Sequence, residues 1–408
     1  MLKKSCIHAG WLIDGCGGPI QKDVLIHIYQ HTIQSIEPVQ KATCKNPSDF
    51  LDLSEYTLLP CLVDCHVHLF MSGTDDIAAR KRQLEAEYDE LKSVISSHIA
   101  GHLSSGVGAV RDGGDGKGLV QRYQRECLSL NDGRKKPVGT GSACHAGIDV
   151  KVAGKAWHQC GRYGKLIGRS PASGETLAEA ISSEASLPGY TRPDHIKVVN
   201  SGVNSLLCFG KETLPQFSLK ELTQVVGEAG SRQLKVMVHA NGKLPVQIAI
   251  EAGCHSIEHG FFMGAENLAR MRDKQIIWVP TTFTMRAYSA LLMPSSREAC
   301  TAQRNLDHQL DQLRIARELG VPVALGTDAG SLGVHHGISV REEFRLFGEA
   351  GYTISEAVQC ATKTGAMLLG ITDMGILIPG MPDLWIAVKG SPLTLAENLG
   401  DVFRGKGL

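Results

Sequence analysis

Leu58-Leu59-Pro60-Cys61-Leu62-Val63-Asp64-Cys65-His66-Val67-His68 joins an apolar run to a pair of histidines. An apolar run of this kind reads as a buried strand, and it ends on two histidines separated by one residue. Side chains alternate faces along a strand, so His66 and His68 point the same way and can grip one ion from one side. The pair alone does not settle the matter, because two polar residues can also simply end a strand. Cys61 and Cys65 flank the pair, but the one-residue offset from His66 puts Cys65 on the opposite face, where a small thiol is ordinary packing.

Downstream, short β-branched runs alternate with amphipathic helices. The strands expected are Leu58–Asp64, Val107–Asp112, Pro137–Gly141, His195–Asn200, Lys235–His239, His255–His259, Ile276–Pro280 and Pro322–Asp328. Between them, Ser218–Ser231 predicts a helix with a Ser218/Glu221 capping box and an apolar stripe of Leu219, Leu222, Val225, Val226 and Ala229. Strand–helix repetition of this kind predicts a closed parallel (β/α)8 barrel of the TIM type, an α/β fold. The alternative, a doubly wound open sheet, lacks its Gly-x-Gly-x-x-Gly after a first strand.

Residues 1–57 read differently, as short strands at Ser5–Ile13, Asp23–Ile28 and Thr32–Pro38 around the turn Gly15-Cys16-Gly17-Gly18. A similar signal returns at Leu384–Val388 after Pro379-Gly380-Met381-Pro382. The division expected is therefore a barrel over 58–374 and a small β-sandwich built from 1–57 and 375–408. The segment Ser142–Gly174 reads as the longest loop, and with Thr281–Ser296 it is expected to shape the substrate pocket.

Forty-two basic residues balance forty-two acidic ones. That neutrality gives no electrostatic footprint for nucleic acid or an anionic membrane and points to a small-molecule substrate. The first residues lack the apolar core of a signal peptide and no stretch is long enough to span a bilayer, so a cytoplasmic protein is expected, with reduced thiols among its twelve cysteines. A homo-oligomer is also expected.

Polar groups collect nearly all at the expected strand ends: His66 and His68 after the first, His239, His259 and Asp328 at the ends of later ones, with Lys197 inside the fourth. Each has a bland reading singly, but together they occupy the face of a barrel where catalytic groups converge, and nitrogen plus carboxylate donors suit Zn²⁺ or a similar ion. The set resembles the amidohydrolase superfamily. More narrowly, Asp194-His195-Ile196-Lys197, Val238-His239-Ala240-Asn241-Gly242, Ser256-Ile257-Glu258-His259-Gly260 and Gly326-Thr327-Asp328-Ala329-Gly330 resemble the branch containing imidazolonepropionase-like proteins, prolidases and zinc carboxypeptidases. Asn241 and Met381-Pro382-Asp383 stand where relatives often differ.

The resemblance implies a metal-dependent hydrolase with a binuclear centre, two divalent ions bridged by a carbamate formed from carbon dioxide on Lys197 and by a hydroxide. His66, His68 and Asp328 would hold the buried ion, His239 and His259 the outer one, and Asp328 would carry the proton. His145, in Gly141-Ser142-Ala143-Cys144-His145-Ala146-Gly147, resembles the family's substrate-facing histidine and would stabilise the developing oxyanion. Arg111 and Asp112 are expected to form a structural ion pair beneath the site. The reaction implied is hydrolysis of an amide bond in a dipeptide or N-acyl amino acid. The alternatives are an aminohydrolase, a hydrolase of a cyclic amide or lactone, and a scaffold without activity.

Overall fold

The boundary between two sheets falls inside the apolar run just quoted. The computed structural model of the chain describes residues 4–39, 50–128, 147–400 and 402–404. Strands β1 (Lys4–Leu12), β2 (Gln21–Tyr29), β3 (Thr32–Pro38) and β4 (Phe50–Pro60) come first. β1 runs antiparallel to β2 and parallel to β4. After Cys61 the chain leaves this sheet and starts the barrel with β5 (Leu62–Val67). The strand expected over Leu58–Asp64 is thus two strands in two sheets. Both halves are equally apolar, so hydrophobicity could not register the switch.

The barrel continues through β6 (Val107–Asp112), β7 (Asp149–Val152), β8 (Ala156–Trp157), β9 (Gly168–Arg169), β10 (His195–Val199), β11 (Lys235–Ala240), β12 (Ser256–His259) and β13 (Ile277–Val279). Its strands pair in parallel in the orders β5-β6-β7 and β13-β12-β11-β10-β8-β9. Asp194 joins the two groups, its amide donating to Val152 O at 2.8 Å and its carboxylate accepting from Val152 N at 2.8 Å. The expected third strand, Pro137–Gly141, lies outside the described residues, and β7 occupies the place beside β6. β7, β8 and β9 all fall in the segment expected to be a loop, Ser142–Gly174. Strands of two to four residues are too short for an alternating pattern to show.

Pro322–Asp328 closes the ring between β13 and β5, but not as a regular strand. Trp278 N donates to Pro322 O and Ala324 N to Trp278 O, both at 2.9 Å, while Cys65 N donates to Leu325 O at 2.9 Å and Asp328 N to His66 O at 2.7 Å. The ladder breaks because Thr327 N is taken by the side chain of Asp64 at 2.9 Å and Asp328 turns to φ 60°.

Two strands finish the chain, β14 (Trp385–Lys389) and β15 (Val402–Arg404). They complete a six-stranded sheet in the order β15-β14-β4-β1-β2-β3, so both chain ends meet in it, with Ala387 opposite Leu58. Its core includes Ile7, Leu12, Val24, Ile26, Leu58 and Trp385.

The helices follow the same logic of one buried face. Helix Leu219–Ser231 carries the expected capping box, and Leu222, Val225 and Ala229 are buried while Leu219 is exposed, which makes the stripe narrower than predicted. Helix Lys363–Leu369 lies against the outer face of β5. A β-carbon at Gly365 would stand 2.8 Å from Val63 Cβ, so only glycine allows that approach, and Cys65 Sγ faces the same residue. Cys65 is therefore packing, on the face opposite His66. Thr281–Ser296, expected as a loop, contains helix Phe283–Leu291. No helix among the described residues is long and apolar enough to cross a membrane.

Candidate metal centre

Six side chains from five parts of the barrel meet at one end. His66 lies near the end of β5 and His68 just past it, Lys197 comes from the middle of β10, His239 from the next-to-last residue of β11, His259 from the last of β12, and Asp328 from the irregular closing segment. His66, His68 and Asp328 each offer a ligand atom within 4.8 Å of the others. Asp328 Oδ1 is 3.5 Å from His66 Nε2 and 3.6 Å from His68 Nε2. The His259 ring centroid lies 4.9 Å from that of His66 and 4.6 Å from that of His239. Gly113 leaves the room required, since a β-carbon there would be 2.7 Å from His68 Cε1.

The second nitrogen of each imidazole is already engaged. His66 Nδ1 donates to Glu258 Oε2 at 2.8 Å, His68 Nδ1 to Gly114 O at 3.0 Å and His239 Nε2 to Gly202 O at 3.1 Å. Those acceptors cannot donate, so the proton must sit on the named nitrogen. The lone pair is left on Nε2 of His66 and His68 and on Nδ1 of His239. His259 Nδ1 shares a 2.6 Å hydrogen bond with Thr281 Oγ1. His259 and Asp328 both adopt positive φ, 66° and 60°, a strained backbone that aims their side chains off the strand direction.

Electrostatics favour neutral donors. Burial, then the nearby Lys197, pushes His68 down to about 4 and His239 to about 3, and His66 well below its ordinary range. Burial followed by His239 does the same for His259. Lys197 is itself lowered to about 8 by burial against the opposing pull of Glu258, and its Nζ has no hydrogen-bond partner among the described residues. Burial raises Asp328 to about 7, partly offset by a hydrogen bond from Ser331 Oγ at 2.8 Å. Neutral imidazoles with oriented lone pairs, a carboxylate and an unpartnered buried amine are a donor set that fits divalent cations.

One expectation changes here. Arg111 and Asp112 do not pair with each other, because neighbours on a strand face opposite ways. Arg111 Nη2 instead donates to Glu258 Oε1 at 2.8 Å, Nη1 to Ser256 Oγ at 3.0 Å and Nε to Cys65 O at 2.7 Å. Asp112 accepts from Leu69 N and Gly114 N, each at 2.8 Å, and so shapes the turns after β5 and β6. His145 lies outside the described residues. Glu258, the partner of both His66 and Arg111, had no assigned role in the sequence reading, although it adjoins His259 in the quoted motif.

Residues 167–393, more than half of the chain, match the amidohydrolase family. The chain belongs to this family. It is 26% identical over 404 residues to ochratoxinase of Aspergillus niger, covering 90% of this chain and 77% of that one. It is 24% identical over 364 residues to imidazolonepropionase of Paracoccus denitrificans, covering 86% and 83%. A solved Xaa-Pro dipeptidase with methionine bound in its active site is 27% identical, with a TM-score of 0.77 over 99% of this chain and 100% of that one. This amidohydrolase is a hydrolase acting on carbon–nitrogen bonds.

The loop after β5 is held from behind by a second histidine group. His98 Nδ1 donates to Leu69 O at 2.8 Å and His336 Nε2 to Met71 O at 2.9 Å, fixing the backbone just past His68. With its proton on Nε2, His336 accepts at Nδ1 from His102 Nε2 at 3.1 Å, which leaves His102 Nδ1 buried without a partner among the described residues.

Two outcomes follow from this geometry. Arg111→Met strands a buried carboxylate and should cost about 3–5 kcal/mol in chemical denaturation, part of which the added change Glu258→Gln should recover. The second concerns acid. Burial, then His98, lowers His102 to about 3, so between that value and the unfolded value of about 6.5 the unfolded chain binds the extra proton. The stability from neutral His102 is present above about pH 6.5 and is lost as pH falls, by about 2 kcal/mol at pH 5. Denaturation curves of His102→Gln at pH 7 and 5 should show a shallower decline than those of the native chain.

Proposed function

We propose that this amidohydrolase cleaves an amide bond in a dipeptide or N-acyl amino acid, in the cytoplasm, with two divalent ions, expected to be Zn²⁺. His66, His68 and Asp328 would hold one ion and His239 and His259 the other, with Lys197 between them. The observation that carries this reading is the Lys197 amine, buried beside four imidazoles with no hydrogen-bond partner among the described residues. An ammonium there would repel cations and stay unpaired at a high desolvation cost. The neutral amine can instead add to carbon dioxide, losing a proton and becoming an anionic carbamate with two ligating oxygens. That chemistry turns an obstacle into a bridge.

Divalent ions, when bound, supply an activated water at neutral pH and a polarised carbonyl. The chain's own residues must then manage the proton. The leaving nitrogen cannot depart as an anion, so a group near it has to take the proton from the attacking water and hand it on. Asp328 suits that task, since its carboxylate lies beside the histidines and borders the cavity. His66, His68 and His239 have their second nitrogen committed to a fixed acceptor. An aminohydrolase built around a single ion would have no use for Lys197. A cyclic amide remains the second reading, favoured by the likeness to imidazolonepropionase.

Lys197→Ala should lower metal content from about two ions per chain and abolish turnover, with partial rescue by a short-chain carboxylate. Elemental analysis with an assay on N-acyl amino acids and dipeptides tests this, and full activity in the variant would overturn it. Asp328→Asn should keep the fold and lose about 10²–10⁴ in turnover. Near-native turnover in that variant would send the proton by another route.

A further inference from the structure

The cavity over the centre is lined on one side by apolar residues, among them Phe70, Met71, Ile167, Phe261 and Met285. Lys197 apart, the lysine or arginine lining it among the described residues is Arg80. Arg80 belongs to helix Ile77–Glu85 and is partly buried. Its Nη1 donates to Ser72 O and, at 3.0 Å, to Gly330 O, two residues past Asp328. These bonds hold the guanidinium by one nitrogen. Among the described residues Nε and Nη2 carry no hydrogen bond, and no carboxylate lies in ion-pair contact. Tyr288 and Asp328 act on Arg80 only through space.

A guanidinium partly withdrawn from water, with no counter-ion among the described residues, is costly unless a ligand supplies one. Its free edge, Nε with Nη2, is the fork that a carboxylate accepts in bidentate fashion. The short link through Gly330 keeps this fork close to Asp328, so the anion and the bond to be cleaved must be near neighbours in the substrate. An α-amino acid joined through its nitrogen has that arrangement.

We propose that Arg80 is the receptor for a substrate carboxylate, and that the substrates are N-acylated α-amino acids whose apolar acyl group packs against Phe70, Met71, Phe261 and Met285. The proposal rests on the amide-hydrolysis reading above. Water adds its oxygen to the acyl carbon, the C–N bond breaks, and the nitrogen takes a proton. A carboxylic acid and a free amino acid leave, with no change of oxidation state. The carboxylate held by Arg80 ends on the amine product.

The test compares an N-acyl amino acid with its α-carboxamide, which removes only the charge. With the metal-loaded enzyme, kcat/KM should favour the acid by about 10- to 100-fold, mainly through KM. That ratio should fall toward one in Arg80→Gln and be partly kept in Arg80→Lys. A ratio near one in the native enzyme, or one unchanged in Arg80→Gln, overturns the proposal. Binding separates it from the hydrolysis reading. Calorimetry on ketomethylene isosteres, in which CH2 replaces the amide N–H, should show the same preference for acid over carboxamide and its loss in Arg80→Gln. If neither substrate turns over while this preference is present, the hydrolysis reading fails and the carboxylate site stands. If the isosteres bind without preference, the carboxylate site fails.

Discussion

The buried chain Arg111–Glu258–His66 is the interaction on which the rest of the centre depends. Glu258 is fully buried, a position that a carboxylate tolerates only when its oxygens are satisfied. One oxygen takes Arg111 at 2.8 Å and Ser256 at 2.6 Å, the other takes His66 Nδ1 at 2.8 Å. One carboxylate thus ties β5, β6 and β12 together across the barrel floor and fixes the tautomer of a deeply buried candidate ligand. Such a pair does not by itself argue for high stability, since its desolvation cost offsets much of the attraction. Its consequence is geometric: with Nδ1 committed, Nε2 of His66 is the only nitrogen left to face Asp328.

Irregular backbone completes what the regular strands begin. A parallel strand places alternate side chains on one face but does not vary their angle. Asp64 removes Thr327 from the ladder, its oxygens accepting from Thr327 N at 2.9 Å and Thr327 Oγ1 at 2.6 Å, and the next residue, Asp328, is free to adopt positive φ. Burial raises Asp64 itself to about 6. The loop past His68 is held in turn by Asp112 and by the His98 and His336 rings. These supports are carboxylates and imidazoles set behind the pocket, and they leave its wall to residues such as Phe70, Arg80 and Tyr288.

Much of this was legible in the residue order. His66 and His68 after an apolar run, His239 and His259 at the ends of later runs, and Asp328 two residues before Gly330 mark strand ends by type and spacing alone. The helix at Leu219–Ser231 follows from local rules, because a capping box involves residues three apart. The exchange of sheets at Cys61, the short strands β7 to β9 and the helix within Thr281–Ser296 were not legible. Periodicity needs length and contrast, and these segments offer too little of one or the other.

The residue order was enough for the class of fold, for the meeting of the two chain ends outside the barrel and for the set of donor types gathered at one barrel face. Those depend on hydrophobic periodicity and on chemistry carried by single residues. Only the tertiary structure decided which partner each polar group meets. Arg111 is 147 residues from Glu258, and Arg80 is 250 residues from Gly330. A hydrogen bond across such separations depends on how the barrel closes, and no local pattern records it.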